Sequence, residues 1–276
     1  MNVFVDFQAV KEVCIQGVRR TSVFMGLGVN AALDPDFKKY QLLDVTPIQF
    51  LPSDVNEDTL RRFKSEFCTW VVASGLRELI ETFAVFLDHV HYSCMLLSFH
   101  GKRIDVAELF SKNKKFCRDG VKDKITALKD AFGIAPAHPD MLLSINQARH
   151  CLVHRRGLVA RQDCAGGDML SVKWPGFDLY MAHTNGQETP IPLPMKQGMV
   201  LQGPGSINVR STVRSRDFAI GTLVTFSPAE LSEICHFAIV AADEVISSAV
   251  NYAQQMGIPF KDSMPLDGNG RKLAEN

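Results

Sequence analysis

From residue 57 to about 100, apolar side chains recur at spacings of three and four. They run from Phe63, Phe67 and Trp70 through Leu79, Phe83 and Phe86 to Val90, with charged residues between them. This is the period of a helix buried along one stripe. No proline interrupts it, so the pattern predicts one very long helix or two in series. Asp54 or Asn56 would cap its start and Gly101 would stop it. The same periodicity, more mixed, predicts an earlier helix over 5–31, ending before the Asp-Pro of LDPDF. A Pro-punctuated stretch at 45–55 separates the two. Shorter helices are expected at 104–116 and 119–132, the second ending at Gly133. Another at 139–156 would open on Pro139 with Asp140 in its first turn and close at Gly157.

After Gly157 the pattern changes from helical to short β-prone runs. LSVKW, FDLYMAH, TNGQETPIPL, GMVLQG and AIGTLVTF are divided by Gly, Pro and Asn-Gly signals, and Asn185-Gly186 suits a hairpin turn. Ser227-Pro228-Ala229-Glu230 then forms a capping box with proline at the first helical position. The helix it opens runs to about 256 with Leu231, Ile234, Phe237, Ala241 and Val245 on its apolar side. A β insert this small cannot cover such a helix, so the helix is expected to return to the bundle. The predicted fold class is mainly α: a helical bundle with a small β-rich insert before the last helix. The expected divisions are 1–55 (an N-terminal helical extension), 56–164 (the bundle), 165–226 (the β insert), 227–260 (the returning helix) and 261–276 (a flexible tail).

Composition narrows the class without choosing a function. Hydrophobic residues make up 46% and charged residues 22% of the 276-residue chain, as in ordinary globular proteins. Lys and Arg (30) balance Asp and Glu (30), so nucleic-acid contact would need a local basic patch. The seven cysteines are scattered and include no C-x-x-C pair, which reads as reduced thiols. The first residues meet charge too early for a signal peptide, and no window is long and apolar enough for a membrane span. A cytoplasmic protein with no membrane partner is expected.

Local basicity is concentrated in QARHCLVHRRG, residues 147–157. On a helix, Asn146, His150 and His154 follow one another at i, i+4 and i+8 and form one stripe. Arg149 precedes His154 by five residues, roughly 140° round the helix and about 7.5 Å along it. The two cannot be close neighbours on one face; they can flank a groove, or meet across a two-fold axis. Histidine can move a proton near neutral pH, and arginine matches the charge that grows on phosphate oxygens. The pair therefore suits metal-free cleavage of RNA by its own 2′-hydroxyl. Arg155, Arg156 and Arg161 lie just beyond and are candidates to hold flanking phosphates.

Arg149-His150-Cys151-Leu152-Val153-His154, preceded by Ile145-Asn146 and followed by a basic pair and Gly157, resembles the motif of the HEPN superfamily: Arg, a polar residue, three more residues, then His. The resemblance covers about 60–160 plus the last helix, and leaves 1–55 and the β insert unaccounted for. It implies a small α-bundle with the motif on a late helix, two protomers pairing so that their motifs line one cleft, and metal-independent endoribonuclease activity. On that resemblance Arg149 is the phosphate stabiliser, His154 the general acid/base and His150 the polar slot. GLRELIETFAVFLD (75–88) resembles the family's earlier helix with an acid near the cleft. Glu81 is the candidate there, with Glu78 and Asp88 as rivals. Asn146, Arg155, Arg156 and Arg161 become substrate-binding candidates, Asn146 serving equally well as a brace for the motif. No metal or cofactor is expected. The implied partners are RNA, a second copy of the chain, and an antitoxin or regulatory protein, as in toxin or antiphage-defence systems.

Two other readings compete. One is a non-catalytic HEPN-like module that binds nucleic acid, nucleotide or a protein partner; the other is a purely structural helical protein. Elsewhere, His89 and His91 are two apart and point to different sides of their helix, which argues against a shared metal. Gly203-Pro204-Gly205 reads as a turn rather than a phosphate loop. Arg210, Arg214 and Arg216 share one side of a β-prone segment, either facing RNA or solvated. Cys151 reads as a small buried residue more than as a nucleophile.

Overall fold

The computed structural model describes residues 4–41, 52, 54–103, 106–164, 166–192, 200 and 203–259. Among these are helices α1 (Phe7–Leu33), α2 (Glu57–Ser98), α3 (Val106–Phe116), α4 (Val121–Phe132) and α5 (Pro139–Arg155). Strands β1 (Met169–His183), β2 (Glu188–Ile191) and β3 (Gly205–Ala219) follow, and α6 (Pro228–Gln255) comes last. The fold is mainly α, with one small antiparallel sheet. The tail after 261 and most of 45–55 and of GMVLQG lie outside the described residues. No helix among the described residues is long and apolar enough to cross a membrane.

The long periodic run forms one uninterrupted helix rather than two. Asn56 is its cap, its side chain accepting from the Thr59 amide, and Glu57 and Asp58 in the first turn complement the helix dipole. Asp6 caps α1 in the same way through the amides of Gln8 and Ala9. The Ser227–Glu230 capping box opens α6, and Gly133, at φ 71°, closes α4 in the left-handed conformation.

α2 is the spine of the core. α1 runs antiparallel beside it at close range because glycines remove side chains at the contacts: Gly17 faces Thr82, Gly28 faces Val71, and Gly75 faces Met25. α6 lies against both, tied to α1 by Lys11–Asp243 (2.5 Å). Phe83, Phe86 and Leu87 of α2 are buried in one cluster with Ile234, Phe237 and Val245 of α6 and with Ile145 and Ala148 of α5. Cys14, Val18, Met25 and Val29 of α1 belong to the same cluster, so the first helix shares the core of the others.

The sheet order is β2-β1-β3. Here the structure corrects the sequence reading. LSVKW and FDLYMAH are one strand, running through Pro175-Gly176 without a break, and GSINVRSTVRSRDFA is its full-length partner. Beyond Ala219, AIGTLVTF turns and makes a single bridge, Leu158 to Leu223, rather than a strand. Pro175 is tolerated because of its register. The Lys173 amide points away from β3, to Ser144 Oγ of α5 at 2.9 Å, so the Pro175 nitrogen faces that same outer side. β2 pairs only with Leu179–Ala182, so no ladder bond is lost at Pro175. The inner face of β1 (Leu170, Val172, Trp174) packs into the helical core. Trp174 Nε1 donates to Glu233 of α6 at 2.8 Å.

Candidate functional site

α5 is held between α2 and β1, and its C-terminal turn carries the basic cluster. Pro139 starts the helix, and Ile145, Ala148, Cys151 and Leu152 form its buried stripe. The next stripe round, Asn146, Arg149 and His150, is half-buried, and His154 is exposed. α5 runs antiparallel to α2: Arg149 lies near Glu81, while Gly157 lies near Thr69.

The Arg149 guanidinium is held by that packing. Its side chain is 17% exposed, and Nη2 lies 3.8 Å from Glu81 Oε1, too long for a hydrogen bond. Its Nε is buried and has no hydrogen-bond partner. Glu81 is drawn the other way by Arg77, whose Nε donates to it at 2.8 Å across one turn of α2. The two rival acids are engaged elsewhere: Glu78 pairs with Arg20 of α1, and Asp88 with Lys124 of α4 at 2.5 Å. Glu81 is therefore the one of the three that reaches the motif.

His150 and His154 stack one turn apart, with centroids 5.6 Å apart and planes 21° from parallel. Burial lowers the pKa of His150, and the neighbouring charges of Arg149, His154 and Arg155 lower it further. Its neutral form is favoured, as a proton acceptor requires. Cys151 is buried, and burial together with Asp163 pushes its thiol up to about 11. A buried thiol shifted in that direction is poorly placed to act as a nucleophile.

The three flanking arginines have separate fates. Arg155 is bound to Asp163, whose side chain is fully buried: Nε donates at 2.8 Å and Nη2 makes a second contact. The same carboxylate accepts the Ala160 amide at 2.9 Å, so Arg155 fixes the turn after α5 instead of standing open to a phosphate. Arg161 is exposed on that turn. Arg156 adopts φ 51°, the one positive φ at a non-glycine position among the described residues, and Gly157 follows at φ 81°. These two residues reverse the chain so that Gly157 bonds Val224 and Leu158 meets Leu223.

Arg156 lines a groove of about 620 Å³ between α2 and the end of α5. Thr69, Trp70 and Arg77 of α2 form one wall, and Val153 and Leu223 contribute to the other. Trp70 is 65% exposed and stacks on Phe67 with centroids 6.3 Å apart. Sequence periodicity assigned Trp70 to the buried stripe; it is exposed because no helix among the described residues covers it. A second cavity, of about 640 Å³, between the ends of α1 and α2 holds none of the predicted site residues.

Arg210, Arg214 and Arg216 do share one side of β3, and each faces a carboxylate. Arg210 pairs with Glu188 at 2.8 Å, Arg214 with Asp178 at 2.8 Å, and Arg216 with Glu230 at 3.6 Å. They are neutralised locally and do not form an open basic strip. Comparison with protein-family models, with curated proteins and with solved structures returns no match.

Proposed function

We propose that this chain is a metal-independent endoribonuclease of the HEPN type. The observation that carries the reading is the state of Arg149: a guanidinium held by packing 3.8 Å short of its carboxylate, on the same helix as an exposed histidine. An anion that reaches the guanidinium would gain a charge-assisted hydrogen bond without displacing one to Glu81. His154 would take the proton from the 2′-hydroxyl or return it to the leaving 5′-oxygen, and His150, kept neutral, supports it. Arg149 would stabilise charge on the phosphate oxygens as the 2′-oxygen attacks, leaving a 2′,3′-cyclic phosphate and a 5′-hydroxyl. The groove beside the motif supplies an exposed indole for a flanking base and Arg156 for its phosphate. Because Arg149 and His154 point to different sides of α5, the complete site on this reading lies in a cleft between two copies. A toxin or antiphage-defence role, with an antitoxin or regulatory partner, belongs to the HEPN resemblance.

A second reading, a non-catalytic HEPN-like binding module, is favoured by two features. The two histidines stack on each other, and Arg149 turns inward to α2. Purified protein incubated with RNA and excess EDTA separates the two. Cleavage lost in both Arg149→Ala and His154→Ala, and untouched by EDTA, is the expected result. RNA left intact by the wild-type chain, but bound by it, would replace the nuclease with the binding module.

A further inference from the structure

β3 is one of the two outer strands of the sheet and, apart from its charged side chains (Arg210, Arg214, Arg216 and Asp217), lacks the usual protection of an edge. Between Ser206 and Ala219 it contains no proline, lysine or glycine. Its register with β1 is continuous from Met169↔Ala219 to His183↔Gly205, so no bulge twists it away. No strand flanks its outer side among the described residues. The direction of its free groups follows from β1. Lys173 turns its amide away from β3 to Ser144, and Thr184 donates instead toward Pro204. Ser215, opposite Lys173, therefore points its own N–H and C=O outward, as do Ile207, Val209, Ser211, Val213 and Asp217 by alternation. On those same odd positions Ile207, Val209 and Val213 are 61%, 64% and 62% exposed. They lie beside Met181, Leu179 and Pro175 of β1, so one apolar stripe crosses the ribbon.

We infer that this edge pairs with the β3 edge of a second copy, antiparallel about a two-fold axis centred on Ser211. The arginines select that register. An axis at Arg210 or Arg214 sets an arginine opposite itself; one at Thr212 opposes Arg210 with Arg214, and one at Val213 opposes Arg210 with Arg216. Like charges directly opposite destabilise a sheet. An axis at Ser211 sets Arg210 opposite Thr212, Arg214 opposite Asn208 and Arg216 opposite Ser206. It also sets Val209 opposite Val213 twice over and keeps 205–217 paired throughout. An axis at Val209 avoids the arginine conflicts too, but pairs only 205–213 within the strand. In the Ser211 register every facing pair of odd residues is a hydrogen-bonded one, so the outward amides are satisfied and a continuous sheet runs through both copies. Each arginine already has a carboxylate of its own chain, which leaves an acidic peptide less to gain than a second copy whose register keeps the guanidinium groups from facing one another.

This interface lies outside the α5 groove and does not depend on the nuclease reading. Site-directed cross-linking tests it in the full chain, with the exposed Cys117 replaced by Ser. In the inferred register the two Ser211 Cα atoms are about 5.5 Å apart, within disulfide range. Mild oxidation of Ser211→Cys is expected to give a disulfide dimer. Val209→Cys and Val213→Cys should each fail alone, and the Val209→Cys/Val213→Cys double variant should link. The test holds whatever other association α5 makes, because only this register brings Ser211 to its own copy. All three positions are exposed, so folding is not at stake. Absence of a Ser211→Cys dimer, or linkage of Val209→Cys as efficient as that of Ser211→Cys, would overturn the inference.

Discussion

The buried Asp163 carboxylate is held by Arg155, which donates to it from both Nε and Nη2 across the turn that follows α5. The pair sits immediately beyond the histidines and determines how the chain leaves the motif. Asp163→Ala leaves Arg155 without its partner and frees the Ala160 amide. A loss of about 3 kcal/mol is expected, because breaking one side of a buried pair costs far more than an exposed ion pair contributes. Chemical denaturation measures it. A change under about 1 kcal/mol would mean that the turn is held by something else.

The α1–α2 contact separates two glycines by the stiffness of what faces them. A Cβ at Gly17 would lie 2.2 Å from Thr82 Cγ2, and Thr82 is β-branched and buried within α2. A Cβ at Gly75 would lie 2.1 Å from Met25 Cγ, on a side chain that can bend aside. Helix propensity favours alanine at both sites by up to about 1 kcal/mol. Gly17→Ala should still lose about 1–3 kcal/mol to overpacking, whereas Gly75→Ala should lose less. Urea midpoints of the two variants give the order, and the reverse order would refute the argument.

His91 makes stability depend on pH. It is buried on α2, stacked on Phe116 at 3.8 Å, with Nδ1 3.2 Å from Asn113 Oδ1. Burial lowers its pKa, Lys124 lowers it further, and Asn113 and Asp88 oppose the shift without cancelling it. The unfolded chain therefore takes up a proton first as pH falls below about 6.5. The stability contributed by neutral His91 is complete above that value and declines as pH drops toward the folded pKa. His150, lowered in the same direction, adds a slope of the same sign. Unfolding midpoints from pH 7.5 to 5.5 should fall for the wild type and flatten for His91→Phe, which keeps the ring stack. An unchanged slope in that variant would exclude His91 as a source.

Arg156 is placed for the groove at the expense of its own backbone. Left-handed φ at a non-glycine residue costs on the order of 1 kcal/mol, so Arg156→Gly is expected to raise stability by about that amount. The chain holds two tryptophans, of which Trp174 is 1% exposed, so quenching by a short single-stranded RNA reports on Trp70. Quenching is expected in the wild type and should weaken in Arg156→Gly despite its greater stability. RNA that leaves the fluorescence unchanged would remove the groove from the proposed substrate path while leaving the Arg149 and His154 experiment intact.

The sequence by itself determined where the helices lie and most of their ends, leaving open whether 57–100 was one helix or two. Three-and-four periodicity, Asn56, the Ser227 box, Gly133 and the Pro139 start are local signals, read within a turn of where they act. Local geometry also set His150 and His154 on one stripe and kept Arg149 from being a close neighbour of His154. Tertiary structure decided everything that depended on a distant residue. Periodicity counted Trp70 as core, but no helix among the described residues packs over that face, and it lines a groove. Arg155 looked as open as Arg156 until the chain folded back to bring Asp163 under it. Pro175 looked like a strand break because the sequence does not show which side of β1 lacks a partner. Glu81 was the favoured of three acids in the sequence, but only the packing of α5 beside it, with α1 and α4 claiming Glu78 and Asp88, separated it from its rivals. Spacing along a chain fixes directions around a helix or across a strand; which charge meets which, and which face stays bare, follows from the packing of elements far apart in sequence.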